Sequence, residues 1–154
     1  MRYYTRRPKG KRAGHARLML PSALAHPSSS FAGFPVTAAS RFGEPEGKTT
    51  PEELIAAAHA TCFTMALGSI LAREHTPPER LEVSAVCTLE EVDGNYTITT
   101  SELGVVGRVS GIDQAAFERA AQEAERICPV SRALAGNVEI RSHSRLEDSV
   151  QVSR

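Results

Sequence analysis

Several features that are common in proteins are scarce in this sequence. It has no tryptophan, 5% aromatic residues and three cysteines among 154 residues. Because three cysteines cannot all pair with one another and these lie far apart, they exclude the disulfide scaffold of small secreted domains. A disulfide in this chain is therefore expected to be transient and catalytic.

The chain also lacks an excess of charge of either sign. Its 18 basic and 18 acidic residues give a formal net charge of +0, so no overall field attracts it to nucleic acid or to an anionic membrane. No unbroken apolar run approaches the roughly 20 residues that span a bilayer, and no segment has the pattern of a signal peptide. We expect a cytoplasmic protein that has neither a nucleic-acid nor a membrane partner.

The remaining composition is that of a folded domain. Hydrophobic residues make up 41% and charged residues 23% of the chain, which is ordinary for a globular protein. A chain of this length suits one domain, so we expect residues 1–154 to form a single unit. Residues 1–14 carry basic side chains and no acidic ones, and they predict a basic, solvent-exposed N-terminal arm.

A long helix is predicted over residues 51–74. Thr50 suits the N-cap, Pro51 suits the first helical position, and Glu53 would complete a capping box. Nearly every position from Leu54 to Leu71 is apolar or small, which is typical of a buried helix. In a chain of this size, such a helix lies at the centre of the core or against a second subunit.

The segment that follows predicts a β-hairpin. Apolar and polar residues alternate from Leu81 to Glu90, and Asp93-Gly94 is a hairpin turn signal. Residues 96–109 are rich in β-formers, and Gly104 and Gly107 within them suggest a bulge or bend.

Shorter elements are predicted on either side. Residues 34–42 and 138–143 have strand character, Asp113 suits the N-cap of a second helix, and Pro129 suits the start of a short one. Strands, a long helix, a hairpin, a helix and a strand follow in this order, which predicts an α+β fold with an antiparallel sheet.

The cysteines differ in the chemistry that their positions favour. Cys128 lies at the N-terminus of the predicted short helix, where free N–H groups stabilise a thiolate. Cys62 lies in the middle of a buried helix, where burial raises the thiol pKa, so a reactive Cys62 needs a cation supplied by the fold. Cys87 lies on the apolar face of a strand and is expected to be structural.

Three interpretations remain open at this point. His59 precedes Cys62 by three residues on one helix face, and a Cys–His pair would suggest a cysteine hydrolase. Cys62, Cys128 and His59 together suggest a zinc site, although no paired ligand spacing supports it. A dimeric binding protein with structural thiols is the third interpretation.

Two cysteine-containing motifs resemble those of the OsmC (osmotically inducible protein C) family. Residues 49–67, TTPEELIAAAHATCFTMAL, resemble its signature helix, and residues 127–136, ICPVSRALAG, resemble its second cysteine motif. RFGEPEG, which begins at Arg41, resembles another family segment, and the likeness covers residues 41–146.

Other positions refine this resemblance. His59 and Val130 resemble the OsmC branch more than the sister branch of organic hydroperoxide resistance (Ohr) proteins, and Tyr4–Arg7 resembles the family's YTRR start. The family usually has a longer first strand that carries a tryptophan, so the N-terminal segment departs from it.

The resemblance implies a thiol-dependent peroxidase that acts on hydroperoxides, with a preference for organic over inorganic ones, in defence against oxidative or osmotic stress. Cys62 would be the peroxidatic thiol and Cys128 the resolving thiol, which would form a disulfide with Cys62 after a sulfenic acid. Arg41 and Glu52 would activate Cys62. Phe42 and Phe63 would favour organic peroxides. The family implies a dithiol reductant, such as dihydrolipoamide or a lipoylated protein, and no cofactor.

The family fold implied here is an intertwined homodimer, with antiparallel sheets packed around two central helices. Glu52 and Cys62 are separated by ten residues, or about 15 Å along a helix. The Glu52 that serves a given Cys62 is therefore expected to come from the partner subunit.

Overall fold

The computed structural model describes residues 3–6, 17–19, 35–43 and 47–147. The elements, in chain order, are β1 (Tyr3–Arg6), β2 (Arg17–Met19), β3 (Pro35–Thr37), α1 (Ala38–Phe42), α2 (Pro51–Arg73), β4 (Arg80–Val92), β5 (Asn95–Arg108), α3 (Gln114–Ile127), α4 (Pro129–Leu134) and β6 (Glu139–Leu146). This is the predicted α+β composition.

The main sheet is mixed, which corrects the prediction of an antiparallel one. Its strand order is β1-β4-β5-β6, and strands β2 and β3 pair separately as an antiparallel ribbon. Strands β4 and β5 are antiparallel, whereas β1 pairs with β4 and β6 pairs with β5 in parallel. A two-residue turn joins β4 to β5 and permits only an antiparallel pair, while the connections that contain helices are long enough for a parallel return.

Strand β1 lies within the segment that was expected to be a solvent-exposed arm. Tyr3–Arg6 pairs with Ala85–Thr88 at one edge of the sheet, so these residues form a strand, and their exposure to solvent stays a prediction. The backbone N–H and C=O groups of β4 offer hydrogen bonds that no charge pattern in residues 1–14 reveals. The rest of that segment lies outside the described residues.

The strand predicted over residues 34–42 is shorter than expected. Strand β3 ends at Thr37, and α1 begins at the next residue. The Ser40 N–H donates to Thr37 Oγ1 at 3.0 Å, and the Thr37 N–H donates to Ser40 Oγ at 3.3 Å. This reciprocal capping box starts the helix that carries Arg41.

Helix α2 begins at the predicted N-cap and ends one residue before the predicted end. Thr50 Oγ1 accepts from the Glu53 N–H at 3.2 Å. The Glu53 carboxylate accepts from the Thr49 hydroxyl at 3.0 Å. The helix packs on the inner face of the sheet, mainly on β4, and its buried residues are Glu52, Ala56, His59, Ala60, Phe63, Leu67, Ile70 and Leu71.

Helix α2 also corrects the expectation that no segment has the length and composition to span a bilayer. It has 23 residues, and an 18-residue window within it has a mean hydropathy of 1.7, which together meet that requirement by length and composition alone. The central helix of a globular core meets the same requirement. Here α2 packs against the sheet and against α3.

The β4–β5 hairpin forms as predicted, but its irregularity lies elsewhere. Asp93 and Gly94 have φ values of 50° and 77°, as a tight hairpin turn requires. The register shift falls between Thr88 and Leu89, not at the glycines of β5. At Gly107, a Cβ would lie 2.6 Å from Cε2 of Phe117, so this glycine provides space for α3.

Helix α3 covers the sheet with a stripe of buried residues, which are Phe117, Ala120, Ala121 and Ala124. Its N-cap is Asp113, whose carboxylate accepts from the Ala116 N–H at 2.7 Å. Cys128 ends α3 and is also the N-cap of α4. One residue thus joins two helices at the side of α2.

Candidate functional site

The fold brings two of the predicted site residues together. Cys62 lies in the middle of α2, Cys128 lies at the α3–α4 junction, and the two thiols are close enough for each to shift the pKa of the other. Both are free thiols, and Cys62 is partly exposed whereas Cys128 is fully buried. A small oxidant therefore has access to Cys62 and not to Cys128.

The pKa values of the two thiols shift in opposite directions. Burial raises the pKa of Cys62, and Cys128 raises it further, against the opposing effect of the Val130 amide. Burial also disfavours a charged Cys128, but the Ser131 hydroxyl, the Ser131 amide, Cys62 and the Val130 amide outweigh it and lower that pKa. The Cys128 sulfur accepts no capping hydrogen bond of regular geometry, yet it faces the free N–H groups of a helix start. Cys128 is the more acidic thiol, as expected from its position.

Arg41 and Glu52 form an ion pair within one chain. Arg41 Nε donates to Glu52 Oε1 at 2.9 Å, and Arg41 Nη2 donates to the same oxygen. The Glu52 side chain is 2% exposed and that of Arg41 is 32% exposed. Helix α1 and the first turn of α2 thus hold a guanidinium on a buried carboxylate.

This ion pair is not part of the immediate surroundings of Cys62 in the same chain. The groups that shift the Cys62 pKa are Val130 and Cys128, whereas the charge of Glu52 raises the pKa of Cys87. The separation agrees with the ten-residue spacing along α2. Activation of Cys62 by Arg41 and Glu52 of the partner subunit stays a prediction.

His59 does not form a pair with Cys62. It is fully buried, its Nδ1 lies 2.8 Å from Ser101 Oγ, and its Nε2 lies 2.9 Å from Ser131 Oγ. Burial lowers its pKa, against the opposing charge of Glu125. Because hydroxyl groups occupy both ring nitrogens, this geometry gives no support to a Cys–His hydrolase.

The zinc interpretation gains no support either. Within residues 3–6, 17–19, 35–43 and 47–147, no three His, Cys, Asp or Glu side chains are placed to share a metal ion.

The two aromatic residues expected near the peroxide lie in different places. Phe63 is fully buried in the core. The Phe42 ring lies 4.7 Å from the Tyr96 ring, centroid to centroid, and the Arg41 guanidinium carbon lies 5.8 Å from the Phe42 centroid. Phe42 is thus the one placed beside the ion pair.

Sequence reasoning missed Ser101 and Ser131. Ser131 carried a detectable signal, because it is the third residue after Cys128 and lies in the first turn of α4. Ser101 carried a weaker one, as the polar residue among the buried positions of β5, the others being Leu103, Val105 and Gly107. Its hydroxyl accepts from the Cys87 thiol, with a sulfur–oxygen distance of 3.8 Å.

Known proteins are similar to this chain in sequence and in fold. The peroxiredoxin OsmC of Escherichia coli strain K12 is 40% identical over 95 residues, which cover 62% of this chain and 66% of the relative. The organic hydroperoxide resistance protein OhrA of Bacillus subtilis strain 168 is 34% identical over 99 residues, with the same coverage. The matched part thus spans slightly less than two thirds of each relative.

Solved structures show the same fold at lower identity. The organic hydroperoxide resistance protein OhrB of Bacillus subtilis has a TM-score of 0.63 at 20% identity, and the match covers 86% of this chain and 98% of OhrB. An OsmC-like protein from Mycoplasma pneumoniae has a TM-score of 0.64 at 11% identity and covers 90% and 99%. The family model described as OsmC-like protein matches residues 43–143, which contain Glu52, Cys62 and Cys128. This chain therefore belongs to the family of OsmC-like proteins.

Proposed function

We propose that this protein is a thiol-dependent peroxidase that reduces organic hydroperoxides to alcohols. The observation that carries the proposal is the contact between a partly exposed thiol, Cys62, and a buried thiol of lowered pKa, Cys128. The relatives named peroxiredoxin and organic hydroperoxide resistance protein support the same reaction.

The first step uses Cys62. Its thiolate attacks one peroxide oxygen, the O–O bond breaks, and the alkoxide leaves as the alcohol after it takes up a proton. Cys62 is then a sulfenic acid. We assign this step to Cys62 because its side chain is partly exposed, whereas Cys128 is fully buried.

The second step uses Cys128. Its thiolate attacks the Cys62 sulfur, the S–O bond breaks, and hydroxide leaves as water after protonation. An external dithiol, for which we propose a dihydrolipoyl compound, reduces the resulting disulfide and is itself oxidised. This cycle suits a reducing compartment such as the cytoplasm.

Because the pKa of Cys62 is raised, another group has to stabilise its thiolate. We propose that Arg41, held by Glu52, supplies the cation from the partner subunit of a homodimer. Helix α2 supports this arrangement, because Met65 in its middle is 72% exposed although the helix is apolar along most of its length. A second α2 packed against this face would cover it.

Thiol titration before and after one equivalent of cumene hydroperoxide tests the proposed function. We expect two thiols per chain to disappear and one to stay, and peptide mapping to recover Cys62 joined to Cys128. Unchanged thiols would favour a binding protein. Ester hydrolysis that persists in Cys128→Ser would favour a hydrolase. A main disulfide that contains Cys87 would contradict the assignment of the two sites.

A further inference from the structure

A row of polar side chains crosses the core beside the two thiols. It runs from Cys87 on β4 to Ser101 on β5, then to His59 on α2 and Ser131 on α4, and Ser131 lies in the first turn of the helix that Cys128 caps. The successive distances are 3.8 Å from Cys87 Sγ to Ser101 Oγ, 2.8 Å from Ser101 Oγ to His59 Nδ1, and 2.9 Å from His59 Nε2 to Ser131 Oγ. None of the five residues is more than 3% exposed.

The number of protons limits how this row can be arranged. A neutral imidazole has one N–H donor and one acceptor nitrogen, and each serine hydroxyl has one proton to donate. Burial keeps His59 neutral, because it lowers the pKa of the ring. A hydroxyl can also accept two hydrogen bonds, so the row has one common direction when each serine donates its single proton to the next member.

The two ends show which direction this is. Cys87 donates to Ser101, and burial raises its pKa against the opposing effect of the Ser101 hydroxyl, with the Glu52 charge adding to the rise, so it keeps its proton. Ser101 then donates to His59 Nδ1, and the Nε2–H of His59 donates to Ser131. This leaves the Ser131 proton for Cys128, whose sulfur also faces the Val130 and Ser131 amides.

We propose that His59 is a positioning residue that, by donating from Nε2 to Ser131, turns the Ser131 hydroxyl proton toward Cys128 and holds that sulfur ready as the resolving thiolate. The inference rests on the proposed function, in which Cys128 attacks the Cys62 sulfenic acid. It assigns His59 to the second step and not to the reaction with peroxide. It also fixes the tautomer, with the proton on Nε2.

Single-turnover kinetics of His59→Leu separate the two steps. With one equivalent of cumene hydroperoxide, peroxide loss reports the first step, and formation of the Cys62–Cys128 disulfide in quenched samples reports the second. We expect peroxide loss within about twofold of wild type and disulfide formation slower by about tenfold near neutral pH, since a one-unit rise in pKa reduces the thiolate tenfold. The second step should recover as the pH rises, which a merely structural defect would not produce.

Conservative variants provide the matched controls. His59→Gln keeps an N–H donor toward Ser131 and should recover most of the second-step rate. Ser131→Ala should reproduce the pH shift and Ser131→Thr should not, and this pair decides the question if His59→Leu does not fold. Ser84→Ala removes a hydroxyl of the same sheet that lies outside the row and donates to the Gly104 carbonyl at 3.4 Å, so it should change neither step.

An unchanged pH profile of disulfide formation in folded His59→Leu and in Ser131→Ala would overturn the inference. Equal slowing of both steps, without recovery at high pH, would also overturn it. If wild type forms no Cys62–Cys128 disulfide with the peroxide, the proposed function itself fails, so the two failures are distinguishable.

Discussion

Cys62 and Cys128 are neighbours in space with different surroundings. Cys62 is partly exposed and has a raised pKa, while Cys128 is buried among N–H and O–H donors and has a lowered one. The more acidic thiol is therefore the one that is closed to solvent. This division suits a resolving thiol that must be ionised without contact with solvent.

Replacing each thiol in turn tests this division of roles. Cys62→Ser should abolish peroxide consumption, because it removes the accessible nucleophile. Cys128→Ser should consume one equivalent and then stop as a sulfenic acid, which excess peroxide oxidises further. Peroxide assays with intact-protein mass spectrometry distinguish these outcomes, and Ser84→Ala serves as the control that keeps turning over. The reverse pattern would exchange the two roles.

Arg41 is expected to contribute to stability as well as to activity. Arg41→Ala leaves the buried Glu52 carboxylate without this partner, and an unsatisfied buried acceptor costs about 1–3 kcal/mol. Denaturant unfolding measures this loss, and Arg41→Lys, which keeps the charge, should lose less. The same Arg41→Ala variant should react more slowly with peroxide. Normal peroxide kinetics in a destabilised Arg41→Ala would confine Arg41 to a structural role.

His59 predicts a pH dependence of stability. Its pKa in the folded protein is below the ordinary value of 6.5, mainly because of burial. As the pH falls below 6.5, the unfolded chain binds more protons than the folded one, so the free energy of unfolding decreases. This stability is complete above pH 6.5 and is lost as the pH falls through the folded pKa.

Denaturant unfolding between about pH 5 and pH 8 measures this dependence. The slope with pH should be smaller in His59→Gln than in wild type, and the exposed His143 is present in both proteins. Equal slopes would show that His59 does not titrate as the structure predicts.

The site could be predicted from the sequence only where its residues lie in local motifs. Arg41, Glu52, Cys62 and Cys128 belong to such segments, and the structure brings the two thiols together. Ser101 and Ser131 lie 42 and 72 positions away from His59. Their contacts with it exist only once β5 and α4 have packed on α2, and no local pattern encodes that packing.

At the scale of elements, helix limits and the hairpin followed from the sequence because caps and turns are local. Thr50, Asp113 and Asp93-Gly94 act within a few residues of themselves. The direction of strand pairing did not follow, because β1 and β6 find their partners through connections that contain helices. The short helix α1 was missed although Thr37 and Ser40 supply its capping box.

The packing of α3 on β5 predicts different costs for two glycines of the same strand. In Gly107→Ala, the new methyl group would overlap the Phe117 ring, and overpacking of this kind costs about 1–3 kcal/mol. In Gly104→Ala, it would meet only the Ser84 hydroxyl at 2.8 Å, which rotates away easily. Denaturant unfolding of both variants should show the larger loss for Gly107→Ala, and equal losses would contradict this account of the packing.

At the scale of the whole molecule, the exposed Met65 of α2 leads to a test of the proposed homodimer. Mixed dimers combine a Cys62→Ser subunit with a Glu52→Ala subunit. If each Cys62 is served by Glu52 of the partner, one site carries both defects and the other carries none. Such dimers should regain about half of the wild-type activity per dimer.

The measurement needs dimers with two different affinity tags, purified through both, and peroxide kinetics beside each parent homodimer. Activity no higher than that expected from one Glu52→Ala site would place Glu52 and its thiol in the same subunit. That result would not contradict the proposed reactions of Cys62 and Cys128.

The mixed sheet has a consequence for the order in which the molecule folds. The two-residue turn brings β4 and β5 together at once. By contrast, the pairing of Glu139 with Thr100 and of Tyr3 with Ala85 joins strands that are far apart in the sequence. Closing a longer loop costs more chain entropy, and distant contacts slow folding. We expect the sheet to grow outward from its central hairpin, with the N-terminal strand docking last, so that a nascent chain exposes the outer edge of β4 until its first residues return.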